Sequence, residues 1–220
     1  MIGPFSGRQL LLAFASVAIS IVVLAVVTTP LGSTAEGPSF VDPRSTPFVI
    51  GDAPEEGLRV GDAAPDFATD LQDGSTYRLT DLQGRPIRLA DLRGKAVWIN
   101  FFASWCPPCQ GETPVLRDLA ERYRDRGLEL VAVSVQETVV DDVRAYAERY
   151  DLDFTIGFDG FGHVFRTYRV YALPTQFFLD PEGIIRFVVQ GPLDEVGARQ
   201  RIEALLPDRP TGSPEPSPTR

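Results

Sequence analysis

Residues 96 to 109 read AVWINFFASWCPPC, and this stretch constrains the fold more than any other part of the chain. Ala96 to Phe102 form a continuous apolar run, the pattern of a strand buried on both faces. A C-x-x-C follows at once. Glu112 to Arg126 then repeat apolar residues (Val115, Leu116, Leu119, Tyr123) at helical spacing. A buried strand that ends in a turn and feeds a helix is the opening of a β-α-β unit.

The rest of the chain continues that pattern. Leu128 to Val135 reads as a second buried strand, Val139 to Tyr150 as an amphipathic helix, and Phe161 to Val170 as a shorter one. Thr175 to Leu179 and Ile184 to Gln190 read as strands joined by the turn Asp180-Pro181-Glu182-Gly183, hence antiparallel. Glu195 to Leu206 closes as a helix. The expected class is α/β, with a parallel half joined to an antiparallel half. Ahead of this, DLQDGSTYRLTDLQG (70–84) is echoed by DLQGRPIRLADLRG (81–94), with turn signals at Asp73-Gly74 and Gly84-Arg85. This predicts a small N-terminal β-hairpin extension.

The flanks differ in kind. Leu10 to Val27 carry no charge, Pro or Gly. As a helix this run spans about 27 Å, close to the roughly 30 Å of a hydrocarbon core. It is longer than the apolar region of most cleaved signal peptides, although Ser33-Thr34-Ala35 offers small residues for cleavage. The expectation is a single transmembrane helix at 10–27 after a cytoplasmic N-terminus at 1–9. Arg8 precedes the run, while Glu36 and Asp42 follow it before the cation Arg44, so the rest of the chain lies on the extracytoplasmic side. Residues 28–57, rich in Pro, Gly, Ser and Thr, read as a flexible linker. The folded domain is 58–206, and 207–220 (PDRPTGSPEPSPTR) reads as a disordered tail.

The net charge of -9 argues against nucleic acid as a partner. The chain has two cysteines, both in the C-x-x-C, and one histidine. A structural zinc needs about four ligands, more than these supply. Haem attachment needs His directly after the second Cys, where Gln110 stands. A structural disulfide across so small a loop gains little unfolded-state entropy. A redox couple remains, and no metal or other cofactor is expected.

Position gives each residue of the motif a role. Between strand and helix, Cys106 falls at or near the helix N-cap, where free N–H groups and the dipole stabilise a thiolate. Cys109 lies one turn further in and is expected to be less exposed. Pro107 suits the first helical position. Pro108 removes a second donor, which leaves the Cys109 N–H as the donor to the Cys106 sulfur and predicts only modest thiolate stabilisation. Pro114 is expected to kink the helix. Pro174, in YALPTQFF, precedes a strand, where a cis peptide would present a bare backbone edge to a substrate peptide.

These motifs together resemble the TlpA/ResA-like branch of the thioredoxin superfamily, membrane-anchored thiol-disulfide oxidoreductases of bacteria. The matching stretches are VGDAAPDF, RLADLRGKAVWINFFASWCPPCQGETPVL and YRVYALPTQFFLDPEG, within residues 60 to 206. The resemblance implies a thioredoxin fold, a central mixed sheet flanked by helices. It makes Cys106 the nucleophile, Cys109 the resolving thiol and Pro174 a cis-proline facing them, with Trp105, Pro107, Pro108 and Leu173 around the site. Thioredoxin has a buried Asp six residues before its first cysteine; Asn100 stands there and cannot accept a proton. Glu112 aligns with an active-site glutamate of ResA-like reductases and is expected to tune the pair's proton chemistry. His163 carries no motif and reads as structural or surface.

The implied activity is reduction of disulfides in exported proteins such as apocytochrome c, with electrons from a membrane thiol donor. A disulfide-introducing oxidase differs from this only in reduction potential. A membrane-tethered peroxidase is a further reading, since APDF also opens peroxiredoxins, but those carry an isolated peroxidatic Cys that is lacking here. A non-enzymatic binding module is disfavoured by the intact cysteine pair.

Overall fold

A computed structural model describes residues 16–20, 47–50 and 57–206. The chain divides into two units, 1–41 and 42–220. In the first, residues 16–20 are helical; the remainder of the expected span, most of the linker and the tail lie outside the described residues. Among the described residues no helix is long and apolar enough to cross a membrane.

The second unit holds a mixed sheet of five strands: β4 (Ala96–Phe102), β5 (Leu128–Val135), β6 (Thr155–Asp159), β8 (Thr175–Leu179) and β9 (Ile185–Gln190). Their order across the sheet is β6-β5-β4-β8-β9. β4, β5 and β6 run parallel, while β8 is antiparallel to β4 and β9 to β8. The helices are α1 (Pro107–Arg124), α2 (Val140–Tyr150), α3 (His163–Thr167) and α4 (Glu195–Leu205). This is the thioredoxin-like α/β class that the sequence predicts, with one addition: no strand is expected between the helices read at 139–150 and 161–170, where β6 forms by parallel pairing with β5.

Strand alternation gives the sheet two covered faces. Val97, Ile99 and Phe101 of β4 pack with Val131, Val133, Phe177, Leu179 and Tyr168 on one side. Trp98 faces the other side, with Leu130, Phe178, Leu116 and Leu119 of α1, and Ala198 and Ile202 of α4. Both cysteines belong to the first of these clusters.

The N-terminal extension is a separate two-stranded ribbon, β2 (Ala68–Asp70) with β3 (Thr76–Arg78), turning at the predicted Asp73-Gly74. In the second copy of the repeat, Thr80 bridges Pro86, and the Asp81 carboxylate accepts from the backbone N–H groups of Gln83 and Arg85. Asp81 also bridges Gly157, which joins the extension to β6. A Cβ at Gly157 would lie 2.6 Å from a Leu79 methyl, so glycine permits this approach. Beyond Pro86 the second copy forms a 3-10 turn, Leu89–Leu92, rather than a strand. A short strand β1 (Phe48–Val49), inside the stretch expected to be linker, pairs antiparallel with β7 (Ala172–Leu173).

Three expected boundaries move. α1 begins at Pro107, as the N-cap placement of Cys106 implies and ahead of the amphipathic stretch that starts at Glu112, because prolines in the first helical turn cost no hydrogen bond. The same helix continues through Pro114 to Arg124. α3 is confined to His163–Thr167 because Gly162 and Arg169 on its flanks adopt positive φ, 67° and 51°.

Candidate active site

The end of β4 aims the chain into α1 through Ala103-Ser104-Trp105, and three contacts hold this loop. The Ser104 N–H donates to Glu137 Oε1 at 2.5 Å. Gln110 Nε2 donates to the Ser104 carbonyl at 2.7 Å, and Trp105 Nε1 to the Gln136 carbonyl at 3.2 Å. Glu137 is buried just beyond β5. Nothing in its sequence setting singles it out.

Cys106 is the N-cap of α1, in extended conformation, with Pro107 and Pro108 as the first two helical residues. The Cys109 N–H donates to the Cys106 sulfur at 3.4 Å, the donor that the two prolines leave in place. Cys106 and Cys109 are joined as a disulfide, with Cα atoms 5.3 Å apart. Both are buried, at 0% and 1% exposure, so the expected difference in exposure is absent. Trp105, 41% exposed, forms the outer edge, and the ring of Phe48 meets it edge-on at 5.4 Å. The Leu173–Pro174 peptide is cis, as expected. Phe48 lies opposite Leu173 in the β1–β7 pair, so a single side chain links the proline loop to the cysteine loop.

Glu112 lies one turn beyond Cys109 and is 3% exposed, so it is not a solvated carboxylate in the first turn of the helix. Its Oε1 accepts from Asn100 Nδ2 at 2.8 Å. Its Oε2 accepts from Gln176 Nε2 and from the Leu193 N–H, both at 3.0 Å. Sheet register explains this convergence: Asn100 and Gln176 are direct partners across β4 and β8, and their amides meet on the α1 face. Gln176 is further fixed by donating to the Gly191 carbonyl and accepting from Trp98 Nε1. Burial pushes the Glu112 carboxyl up to about 8, while the Leu193 N–H and the Asn100 and Gln176 amides pull it the other way. Behind the cysteines, Thr113 Oγ1 donates to the Cys109 carbonyl at 2.8 Å and makes a short hydrogen bond to the Tyr146 hydroxyl. Burial raises the Tyr146 phenol well above its ordinary range.

The structure therefore brings Cys106, Cys109, Trp105, Pro107 and Pro108 together and sets Glu112 one turn behind them. Leu173 and Pro174 join through Phe48. His163 lies apart, its ring on Tyr77 at 4.6 Å and near the Arg166 guanidinium. Gln176 and Glu137 belong to the site as well, and neither stands out in the sequence.

Known proteins are similar to this chain in sequence and fold. The sequence profile described as the AhpC/TSA family matches residues 60–188. The thiol-disulfide oxidoreductase ResA of Oceanobacillus iheyensis is 40% identical over 152 residues, covering 68% of this chain and 72% of that protein. ResA of Geobacillus thermodenitrificans is 37% identical over 150 residues, 68% of this chain and 80% of its own length. Among solved structures, one from Chlorobium tepidum named as a thiol:disulfide interchange protein DsbE matches with a TM-score of 0.60 and 31% identity. That match covers 68% of this chain and 99% of the other. A secreted Mycobacterium tuberculosis disulfide oxidoreductase, described as homologous to E. coli DsbE, matches with a TM-score of 0.54 and 26% identity, over 59% of this chain and 96% of that one.

Proposed function

This chain belongs to the AhpC/TSA family, with the ResA-like thiol-disulfide oxidoreductases as its relatives, and on that premise we propose that it reduces disulfides of exported proteins on the extracytoplasmic face of a membrane. Substrates of the apocytochrome c kind, a membrane thiol donor and an anchor at residues 10–27 complete the reading. The apolar run and its flanking charges support the placement.

The observation that carries the direction is the meagre donor set at Cys106. A strongly oxidising couple needs a well-stabilised thiolate. Here Pro107 and Pro108 have no N–H, and among the described residues the Cys109 amide alone donates to the sulfur. The Cys106 thiolate attacks one sulfur of a substrate disulfide and forms a mixed disulfide, and the first substrate thiolate leaves. Cys109, deprotonated, attacks Cys106 Sγ, closes the Cys106–Cys109 disulfide and releases the second substrate thiol. Two electrons and two protons pass to the substrate, and the membrane dithiol donor returns both. Glu112 exchanges a proton with this pair. Its neighbours all donate to it, so a proton on Oε1 requires the Asn100 amide to turn and offer its oxygen.

Equilibration with glutathione and dithiothreitol tests the direction. The expected potential lies near the roughly -270 mV of thioredoxin. A value above about -180 mV would make the protein an oxidase instead.

A further inference from the structure

The backbone edge of β7 runs directly into cis-Pro174 and carries the chain's own residues 48–49 as an antiparallel strand. The Ile50 N–H donates to the Tyr171 carbonyl at 2.8 Å, extending the pairing by one residue. Pro47 packs at the surface of Gly191, whose N–H donates to the Pro174 carbonyl. The Phe48 ring closes on Trp105, next to the nucleophile position. The segment thus spans from the proline loop to Trp105 of the cysteine loop, whose two cysteines have almost no exposed surface.

We propose that residues 47–50 are a built-in strap on the backbone edge ahead of cis-Pro174, held by Phe48 on Trp105, and that an extended substrate peptide with an aromatic side chain opposite Leu173 displaces it. The proposal deepens the thiol-disulfide reading and rests on it for the identity of the displacing peptide.

Three observations favour a displaceable strap over a structural strand. The pair β1–β7 stands outside the five-stranded sheet, and an isolated two-stranded ribbon is marginal in water. Phe48 and Val49 are exposed, at 44% and 65%, and Ile50 alone is half-buried, so opening uncovers little apolar surface. Finally, the contacts the segment makes are those any extended peptide can reproduce: main-chain pairing for affinity, and one side-chain seat for selection. The substrate class follows as unfolded or locally extended protein segments with an aromatic residue near the disulfide.

The test uses the full chain in detergent, as wild type and as Ile50→Pro, which removes the N–H that donates to Tyr171, and Phe48→Ala, which removes the ring on Trp105. The probe is the octapeptide STPFVIGD, residues 45–52. If the strap is closed about nine-tenths of the time, freeing the edge strengthens peptide binding about tenfold. Calorimetric titration should show that gain for Ile50→Pro and a smaller one for Phe48→Ala. The same peptide with alanine for phenylalanine should bind Ile50→Pro several-fold less tightly. For Ile50→Pro the KM for a disulfide-bearing peptide should fall in parallel with kcat unchanged, while its exchange with dithiothreitol stays equal to that of wild type. Equal peptide binding by wild type and both variants, or no binding to either variant, overturns the strap. Peptide binding that behaves as stated, without reduction of the disulfide peptide, supports the strap and overturns the reductase reading instead.

Discussion

Two buried acceptors sit one after the other on α1 and are treated in opposite ways. The Cys106 sulfur, at the N-cap, receives one N–H, from Cys109. The Glu112 carboxylate, in the second turn, receives three, from Asn100, Gln176 and Leu193. Helix position alone would favour the reverse, because free N–H groups and the positive dipole end concentrate at the first turn. The prolines at 107 and 108 withhold donors where they would normally be plentiful, and β4, β8 and the loop before α4 supply them where they would normally be lacking. The hydrogen bonds of this site therefore go to keeping a carboxyl inside the protein, not to stabilising a thiolate.

The sharpest break in that comparison removes one sulfur. Cys106→Ser keeps a good N-cap side chain, so the fold should persist while turnover disappears. Cys109→Ser should also lose turnover, yet accumulate a mixed disulfide with substrate, because resolution needs the second thiol. Non-reducing gels after a thiol quench separate the two; equal trapping by both variants would reassign the nucleophile.

Next in size is Gln176→Leu. It takes one donor from Glu112 and leaves the buried Trp98 Nε1 without its acceptor. An orphaned buried donor costs about 1–3 kcal/mol. Urea unfolding should show a loss of that order, and the Glu112 carboxyl should titrate still higher.

Glu112→Gln tests the carboxyl itself. Its folded pKa, about 8, lies above the ordinary value of 4.5. Between these values the folded state holds a proton that the unfolded state has released, so Glu112 makes stability fall as pH rises from about 4.5 to about 8. Below that window its contribution is fully present; above it the contribution is lost. Wild type should therefore lose more stability than Glu112→Gln across this range, as thermal unfolding at pH 5 and pH 8.5 would show. The amide can be accommodated, with its oxygen toward Leu193 and Gln176 and its nitrogen toward a turned Asn100. Removing the negative charge should also lower the Cys106 pKa. A drop of about one unit corresponds to roughly 30 mV toward a more oxidising couple. Parallel stability profiles and equal potentials in the two proteins would remove Glu112 from the chemistry.

Local chemistry makes much of this site legible in the sequence. The apolar run of β4, the cysteine spacing and the turn at Asp180-Gly183 each carry their own signal, and the first two suffice to place Cys106 at the N-cap. Pro174 needs the family resemblance, since X-Pro alone says little about cis geometry. What stays hidden depends on register. Gln176 is one of two polar residues at the start of an otherwise apolar strand, and it meets Glu112 only because β8 pairs with β4 so that Gln176 faces Asn100. Glu137 reaches Ser104 from the far end of β5, thirty-three residues away. Residues 47–50 read as linker because two strand residues show no periodicity; their pairing comes wholly from β7. The amphipathic pattern shows α1 only from Glu112, because the turn led by Pro107 and Pro108 has no apolar periodicity; its start is read instead from the N-cap position of Cys106.

The smallest expected effect gives Cys106 the donor it lacks. Pro108 is the second residue of α1, and an N-cap side chain accepts from the second or third N–H. Pro108→Ala restores the second one, beside the Cys109 N–H already in use. A second hydrogen bond to the thiolate favours the reduced form, so the couple should become more oxidising. The shift should be smaller than that of Glu112→Gln, since one amide adds only a dipole beside the buried sulfur, whereas an ionised carboxylate is a full charge. About 10–20 mV is expected, from the equivalence of roughly 30 mV to one unit of thiol pKa. The double variant Pro108→Ala/Glu112→Gln then decides whether the two turns of α1 act separately. Additive shifts in potential mean that the sulfur responds to donor and charge independently. A double variant that shifts no further than Glu112→Gln alone would mean that both changes act on the same protonation step, with Glu112 setting it.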